Sequence, residues 1–225
     1  MKFLFTIFIL LATISSIPAQ DNIIKTYNSP DHQKPLLIYF SGDGGFNAFS
    51  NTICNDLYKN GYGIIALNSK SYFWKKKTSQ QTAAFIEPYI QKYLKEQKQS
   101  SVVLIGYSFG ADVMPFVYNS LPKAIQKITE KIVLLAPSPS TDFEVHLLDM
   151  AGGTGTYNMD VASEINKIHE ASIHIINSTK SDFPVNKVKN KNAYTTVVKG
   201  NFHFDKDPKT VLSSIYKSLL VVPIQ

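Results

Sequence analysis

The stretch Ser101-Val-Val-Leu-Ile-Gly-Tyr-Ser-Phe-Gly-Ala-Asp112 constrains this chain more than any other. Its first half is a run of β-branched and aliphatic residues, the pattern of a strand buried on both faces. The run breaks at Gly106-Tyr-Ser-Phe-Gly110 and passes into an amphipathic helical pattern from Ala111 to Asn119. Strand, G-x-S-x-G and helix in that order make a nucleophile elbow, with Ser108 on a sharp turn and its Oγ lifted clear of the sheet. Side chains two residues before and after the serine would collide in so tight a turn, which accounts for both glycines. The first N–H groups of the helix then face the point where negative charge develops. By accident alone, G-x-S-x-G would arise in roughly 7% of chains of this length. The flanking strand and helix therefore carry the reading, against a solvated serine in a chance turn.

The rest of the chain repeats the strand–helix alternation. Strand patterns fall at Pro35 to Phe40, Tyr62 to Leu67, Lys131 to Ala136, Ser172 to Asn177 and Ala193 to Lys199. Helical patterns fall at Phe46 to Lys59, from a cap at Thr78 or Ser79 to Glu96 with Pro88 bending it, and at Pro208 to Leu220. Asn22 to Gln33 reads as polar and Pro137 to Glu170 as irregular, with Gly152-Gly-Thr-Gly155 a connection, because no strand leads into it and no Lys-Ser/Thr follows. The expectation is a single-domain α/β-hydrolase fold, a mostly parallel, doubly wound sheet of about six strands flanked by helices.

Bulk properties narrow the class. The chain has 225 residues, 44% of them hydrophobic, enough for one domain with a sizeable core. Lys2 followed by an apolar run to Ile14 and small residues up to Ala19 reads as a signal peptide over 1–19, leaving 20–225 as the domain and implying a periplasmic or secreted location. The apolar run is short for a membrane span. Cys54 is the one cysteine, so no internal disulfide can form, and it reads as a small buried hydrophobe. A formal net charge of +6 favours an anionic surface as neighbour. With no arginine-rich run, zinc spacing or RNA-type aromatic signature, nucleic acid is not expected, nor is any metal or cofactor, and a monomer is. The stretch Lys70 to Lys77, with Tyr72, Phe73, Trp74 and its lysines, offers peripheral contact with an anionic membrane; a packed aromatic cluster beside solvated lysines is the plainer alternative.

An elbow serine needs a base, an acid and an oxyanion hole. In this architecture the partners follow in the order Ser, acid, His, on loops at the carboxyl ends of successive strands. His203, in Gly200-Asn-Phe-His-Phe-Asp205 after the last strand, is the base; His174 sits inside a strand and reads as core. Asp182 follows the fifth strand and is favoured as the acid that fixes the tautomer of His203; Asp142, after the fourth strand, competes. The oxyanion donors are expected to be the N–H of Phe109, just after the nucleophile, and that of Asp43 in Ser41-Gly-Asp-Gly-Gly45, with Gly44 the near alternative.

Several of these stretches together resemble the bacterial virulence protein VirJ family, which includes the C-terminal domain of AcvB. They are Ser41-Gly-Asp-Gly-Gly45, Ser71-Tyr-Phe-Trp74, Leu104 to Asp112 with Pro115, Asp142-Phe-Glu144 and His203-Phe-Asp205. The resemblance implies a periplasmic serine esterase acting on an aminoacyl or acyl ester of a phospholipid such as lysyl-phosphatidylglycerol. It also implies links to envelope integrity and secretion. A non-catalytic envelope or secretion factor built on the same scaffold is the other reading, favoured by the long segment Pro137 to Glu170.

Overall fold

A computed structural model describes residues 23–146 and 157–220 of the chain. The expected signal peptide, Gly152 to Gly155 and the end of the chain lie outside those residues.

The central sheet forms where the apolar runs are. Strands β1 (Ile24–Tyr27), β2 (Leu36–Phe40), β3 (Ile64–Leu67), β4 (Val102–Tyr107), β5 (Thr129–Leu135), β8 (Ser172–Ser178) and β9 (Ala193–Val198) line up as β1-β3-β2-β4-β5-β8-β9. Every neighbouring pair is parallel except β1 with β3. All five residues of β2 and all six of β4 are buried, as a strand covered on both faces requires. Along β2, Leu36, Ile38 and Phe40 face one apolar layer with the helices α3 (Ser79–Glu96) and α4 (Phe109–Ser120). Leu37 and Tyr39 face the other, with α1 (Ala48–Lys59) and the closing helix Lys209–Leu220. The alternation follows from the two-residue period of a strand. It puts β4, and the elbow at its end, at the centre of a three-layer sandwich.

Local signals set the helix ends. Asn47 caps α1 by accepting from Ser50 N at 3.0 Å. Thr78 and Gln81 form a reciprocal capping box at the start of α3, satisfying two otherwise orphaned donors. Pro88 is accommodated inside α3, which runs unbroken from Ser79 to Glu96. Lys131, at the start of β5, is buried and donates from Nζ to the carbonyls of Ser218 and Leu219 at 2.9 and 2.8 Å. Its charge caps the C-terminal end of the closing helix, where the carbonyls lack partners within the helix.

Two expectations are corrected. The sheet has seven strands rather than about six. The additional one is β1, in the stretch read as polar; it is only four residues long, half exposed, and antiparallel at the sheet edge. The described part of 137–170 is also more ordered than an irregular segment. It holds a short antiparallel pair, β6 (Ser140–Thr141) with β7 (Met159–Asp160), and the helix Val161–Ile165.

Candidate active site

The elbow sits where β4 meets α4. Ser108 has φ 50° and ψ −123°, a conformation that side chains rarely adopt. Its N–H donates to Leu135 O at 2.8 Å and its carbonyl accepts from the N–H groups of Ala111 and Asp112, so sheet and helix both hold the turn. A Cβ on Gly106 would come within 2.5 Å of the Gly110 carbonyl, and one on Gly110 within 2.3 Å of the Phe40 carbonyl. Both contacts are to backbone, which cannot swing aside. The glycines are there because the strand, turn and helix pass too close for anything larger.

His203 arrives from the other end of the sheet. Ser108 Oγ lies 3.2 Å from His203 Nε2 although 95 residues separate them. After β9, Gly200 takes φ 147° and Asn201 Oδ1 accepts from the N–H groups of His203 and Asp205 at 2.9 and 2.8 Å. Phe204 is fully buried and stacks on Phe49, anchoring the loop from below. The imidazole meets Phe202 and Tyr107 edge-on, with ring centroids at 4.8 and 6.3 Å. Burial lowers the pKa of His203 below its ordinary 6.5; the nearby Asp43 charge pulls it back up and Lys206 pushes it further down. A neutral ring able to accept a proton follows.

The loop 41–45 closes over the nucleophile from β2. A Cβ on Gly42 would lie 3.3 Å from Ser108 Cβ, so the backbone passes at van der Waals contact. Asp43 Oδ1 accepts from Gly44 N at 2.9 Å, which occupies the side chain and commits the Gly44 N–H. Among the described residues, no protein acceptor takes the N–H of Asp43 or of Phe109. Both amides are therefore available to an oxyanion.

The two candidate acids stand differently. Asp182 is exposed and lines the same cavity as Ser108 and His203, on the loop after β8. Among the described residues, no carboxylate is hydrogen-bonded to His203 Nδ1. Asp142 is engaged elsewhere: its Oδ2 is 2.9 Å from His146 Nε2 and 3.6 Å from Lys76 Nζ. Asp142, Glu144 and His146 have ligand atoms within 4.8 Å of one another, a spacing that a cation could bridge, but Lys76 already supplies positive charge there. His174, read as core, is half-buried on β8 with Nε2 3.0 Å from Thr196 Oγ1.

The cavity above Ser108 is about 490 Å³, and its walls include Asp112, Ser138, Glu144, His146 and Asp182. Sequence reasoning gave no role to Asp112 or His146. Asp112 follows Ser108 by one helical turn and is buried; it accepts from Ser138 N at 2.5 Å, and desolvation pushes its carboxyl up to about 8. The signal was available, since Asp112 is the single charge in the otherwise apolar Phe-Gly-Ala-Asp-Val-Met-Pro-Phe-Val. His146 stacks on Tyr157 at 5.0 Å and its spacing from Asp142 is i,i+4.

A parallel sheet with a serine elbow after a central strand and a histidine after the last strand defines the α/β-hydrolase fold. Solved structures agree in fold. The chain superposes with a TM-score of 0.62 on Est1E from Butyrivibrio proteoclasticus with ferulic acid bound (13% identity, 88% of this chain, 94% of that one). The score is 0.61 with MenH from S. aureus (11% identity, 88% and 97%). It is 0.58 with a thioesterase domain from the curacin biosynthetic pathway (12% identity, 88% and 94%). No curated protein matches the chain in sequence. The family described as bacterial virulence protein (VirJ) matches over residues 34–221, and the chain belongs to it.

Proposed function

We propose that this protein is an exported serine esterase that cleaves a lipid-linked ester, the aminoacyl ester of lysyl-phosphatidylglycerol being the substrate that the family resemblance implies. The observation that carries the reading is the 3.2 Å approach of Ser108 Oγ to His203 Nε2 on an elbow that holds the serine at φ 50°. Ser108 attacks the ester carbonyl while its proton passes to His203 Nε2. The tetrahedral oxyanion takes hydrogen bonds from the N–H groups of Phe109 and Asp43. Collapse expels the lipid alcohol, which takes the proton back from His203, and leaves an acyl-serine. Water, deprotonated by the same ring, then releases the acid. Asp182 is the carboxylate assigned to Nδ1, a contact that in hydrolases is often loose until substrate binds.

Carboxylates on the cavity wall, Glu144 and Asp182, support an acyl group that carries an ammonium. The test compares wild type with Ser108→Ala on lysyl-phosphatidylglycerol and on short p-nitrophenyl esters, with fluorophosphonate labelling of Ser108 as a direct probe of nucleophilicity. Turnover and labelling that both vanish in the variant are expected. An unlabelled serine and no Ser108-dependent hydrolysis of any ester would leave the second reading, a binding factor on a hydrolase scaffold.

A further inference from the structure

Trp74 is the chain's one tryptophan and stands 52% exposed in the turn after the short helix Ser69–Tyr72. Among the described residues it has no ring or hydrogen-bond partner. Its neighbours toward the surface are Lys75 and Lys76, both exposed, and Lys77, partly so. Beneath it the turn is rigidly tied. Tyr72 and Phe73 are buried, and Phe73 packs edge-on against Phe109, the residue after the nucleophile, at 5.2 Å. Lys77 N donates to Phe143 O at 3.1 Å and Val145 N to Phe73 O at 3.0 Å. The partner segment is the one whose Glu144, Val145 and His146 wall the cavity. The aromatic cluster and the lysines are thus one device: the cluster fixes the turn to the active-site wall, holds Lys77 Nζ 5.6 Å over the Tyr72 ring, and leaves Trp74, Lys75 and Lys76 exposed.

We infer that residues 74–77 are the surface by which the protein docks on an anionic lipid bilayer, holding the cavity mouth at the headgroups. The chemistry is complementary. An indole partitions to the headgroup layer, where its apolar body and N–H are both satisfied. Lysines beside it are drawn by the negative surface potential of anionic lipid. Among the described residues, Lys76 alone of the turn's lysines has an acidic partner in reach, Asp142 at 3.6 Å, so the turn keeps most of its positive charge for an external surface. The inference rests on the proposed reading of the site for its purpose: an ester embedded in a bilayer can reach Ser108 only if the cavity is brought to the interface.

Because Trp74 is the one fluorophore of its kind, the full chain reports its own docking, and contact made elsewhere on the molecule leaves its emission unmoved. Titration with phosphatidylcholine vesicles containing a third phosphatidylglycerol is expected to shift the Trp74 emission to the blue; pure phosphatidylcholine is not, and raised salt should reverse the shift. In co-sedimentation, Trp74→Ala and the pair Lys75→Glu with Lys77→Glu should each weaken binding, the charge reversal by at least about tenfold. Lys75→Glu alone guards against a folding effect at Lys77. An unshifted emission, equal binding to both vesicle types, variants that bind as wild type, or preferential binding to RNA at equal salt would each overturn the inference. Hydrolysis of a soluble p-nitrophenyl ester separates the two readings. Lost docking with intact turnover in Trp74→Ala supports the surface, whereas wild type that docks but shows no Ser108-dependent turnover refutes only the esterase.

Discussion

The Nε2 of His146 lies 2.9 Å from Oδ2 of Asp142, so one of the carboxylates that the sequence offers to His203 is already held by a different imidazole. Lys76, at 3.6 Å, reinforces that arrangement. Asp182 is left exposed on the wall of the cavity that contains Ser108 and His203. Removing a triad acid while keeping its shape lowers kcat by about 10⁴-fold, through loss of the correct tautomer and of imidazolium stabilisation. Asp182→Asn should show that loss on any ester the enzyme cleaves, and Asp142→Asn should leave kcat close to wild type. Steady-state kinetics of the two variants decide the matter: the reverse pattern would reassign the acid to Asp142 and require the 142–146 segment to reorganise.

The environment of His203 sets a pH profile. Its pKa lies below 6.5, chiefly because burial disfavours the imidazolium. Activity needs the neutral ring, so kcat/KM should rise with pH along an acid limb whose midpoint falls below 6.5. Stability should move in the same direction. As pH falls through 6.5 the unfolded chain takes up a proton that the folded one still refuses. The stability contributed by the neutral ring is therefore complete above 6.5 and is lost as pH falls toward the folded value. A limb centred at or above 6.5 would mean that a carboxylate holds the imidazolium in the resting enzyme.

Asp112 works in the opposite sense. Its carboxyl is raised to about 8 from an ordinary 3.8, because desolvation outweighs the hydrogen bond from Ser138 N. The folded state keeps a proton that the unfolded state gives up. The stability linked to this group is fully present below 3.8, is lost progressively as pH rises, and is gone above about 8. Asp112→Asn retains an oxygen to accept from Ser138 and cannot ionise. Its denaturation midpoint relative to wild type should thus climb between pH 5 and pH 8 and level off beyond. A gap that does not change with pH would show that Asp112 is ionised in the folded protein and paired by a group other than Ser138.

What could be read in the chain, and what could not, divides along the range of the forces involved. The sheet and the elbow are written in short runs, because a doubly covered strand must be apolar throughout and a turn residue whose Cβ would come within 2.3 Å of a carbonyl must be glycine. The order of strands puts His203 after the last of them, and the fold then carries it to Ser108. β1 escaped notice because four half-exposed residues at an edge have neither an apolar run nor a clean alternation. β6 and β7 are two residues each, too short for any period, and exist only because each pairs with the other. Asp112 is visible as a lone charge in an apolar helical run, but its partner is not: Ser138 is brought to it by a loop 26 residues away. The partner of His146 was visible at i,i+4, but whether that spacing means a helix face or a loop contact is decided by tertiary structure.

The strained serine leads to a last expectation. A residue held at φ 50°, ψ −123° costs on the order of 1–3 kcal/mol when it carries a Cβ, and glycine adopts the region at little steric cost. Ser108→Ala removes the hydroxyl and keeps the strain, so it should lose turnover with little change in stability. Ser108→Gly should lose turnover as well but unfold at a higher denaturant concentration. The gain should be about 1 kcal/mol, since the extra backbone entropy of an unfolded glycine offsets part of the relieved strain. Equilibrium denaturation of the two variants side by side isolates the backbone term, because they differ by one methyl group at a site only 6% exposed. If Ser108→Gly proved no more stable than Ser108→Ala, the elbow would not be storing energy, and the geometry of its serine would need another cause than the proposed reaction.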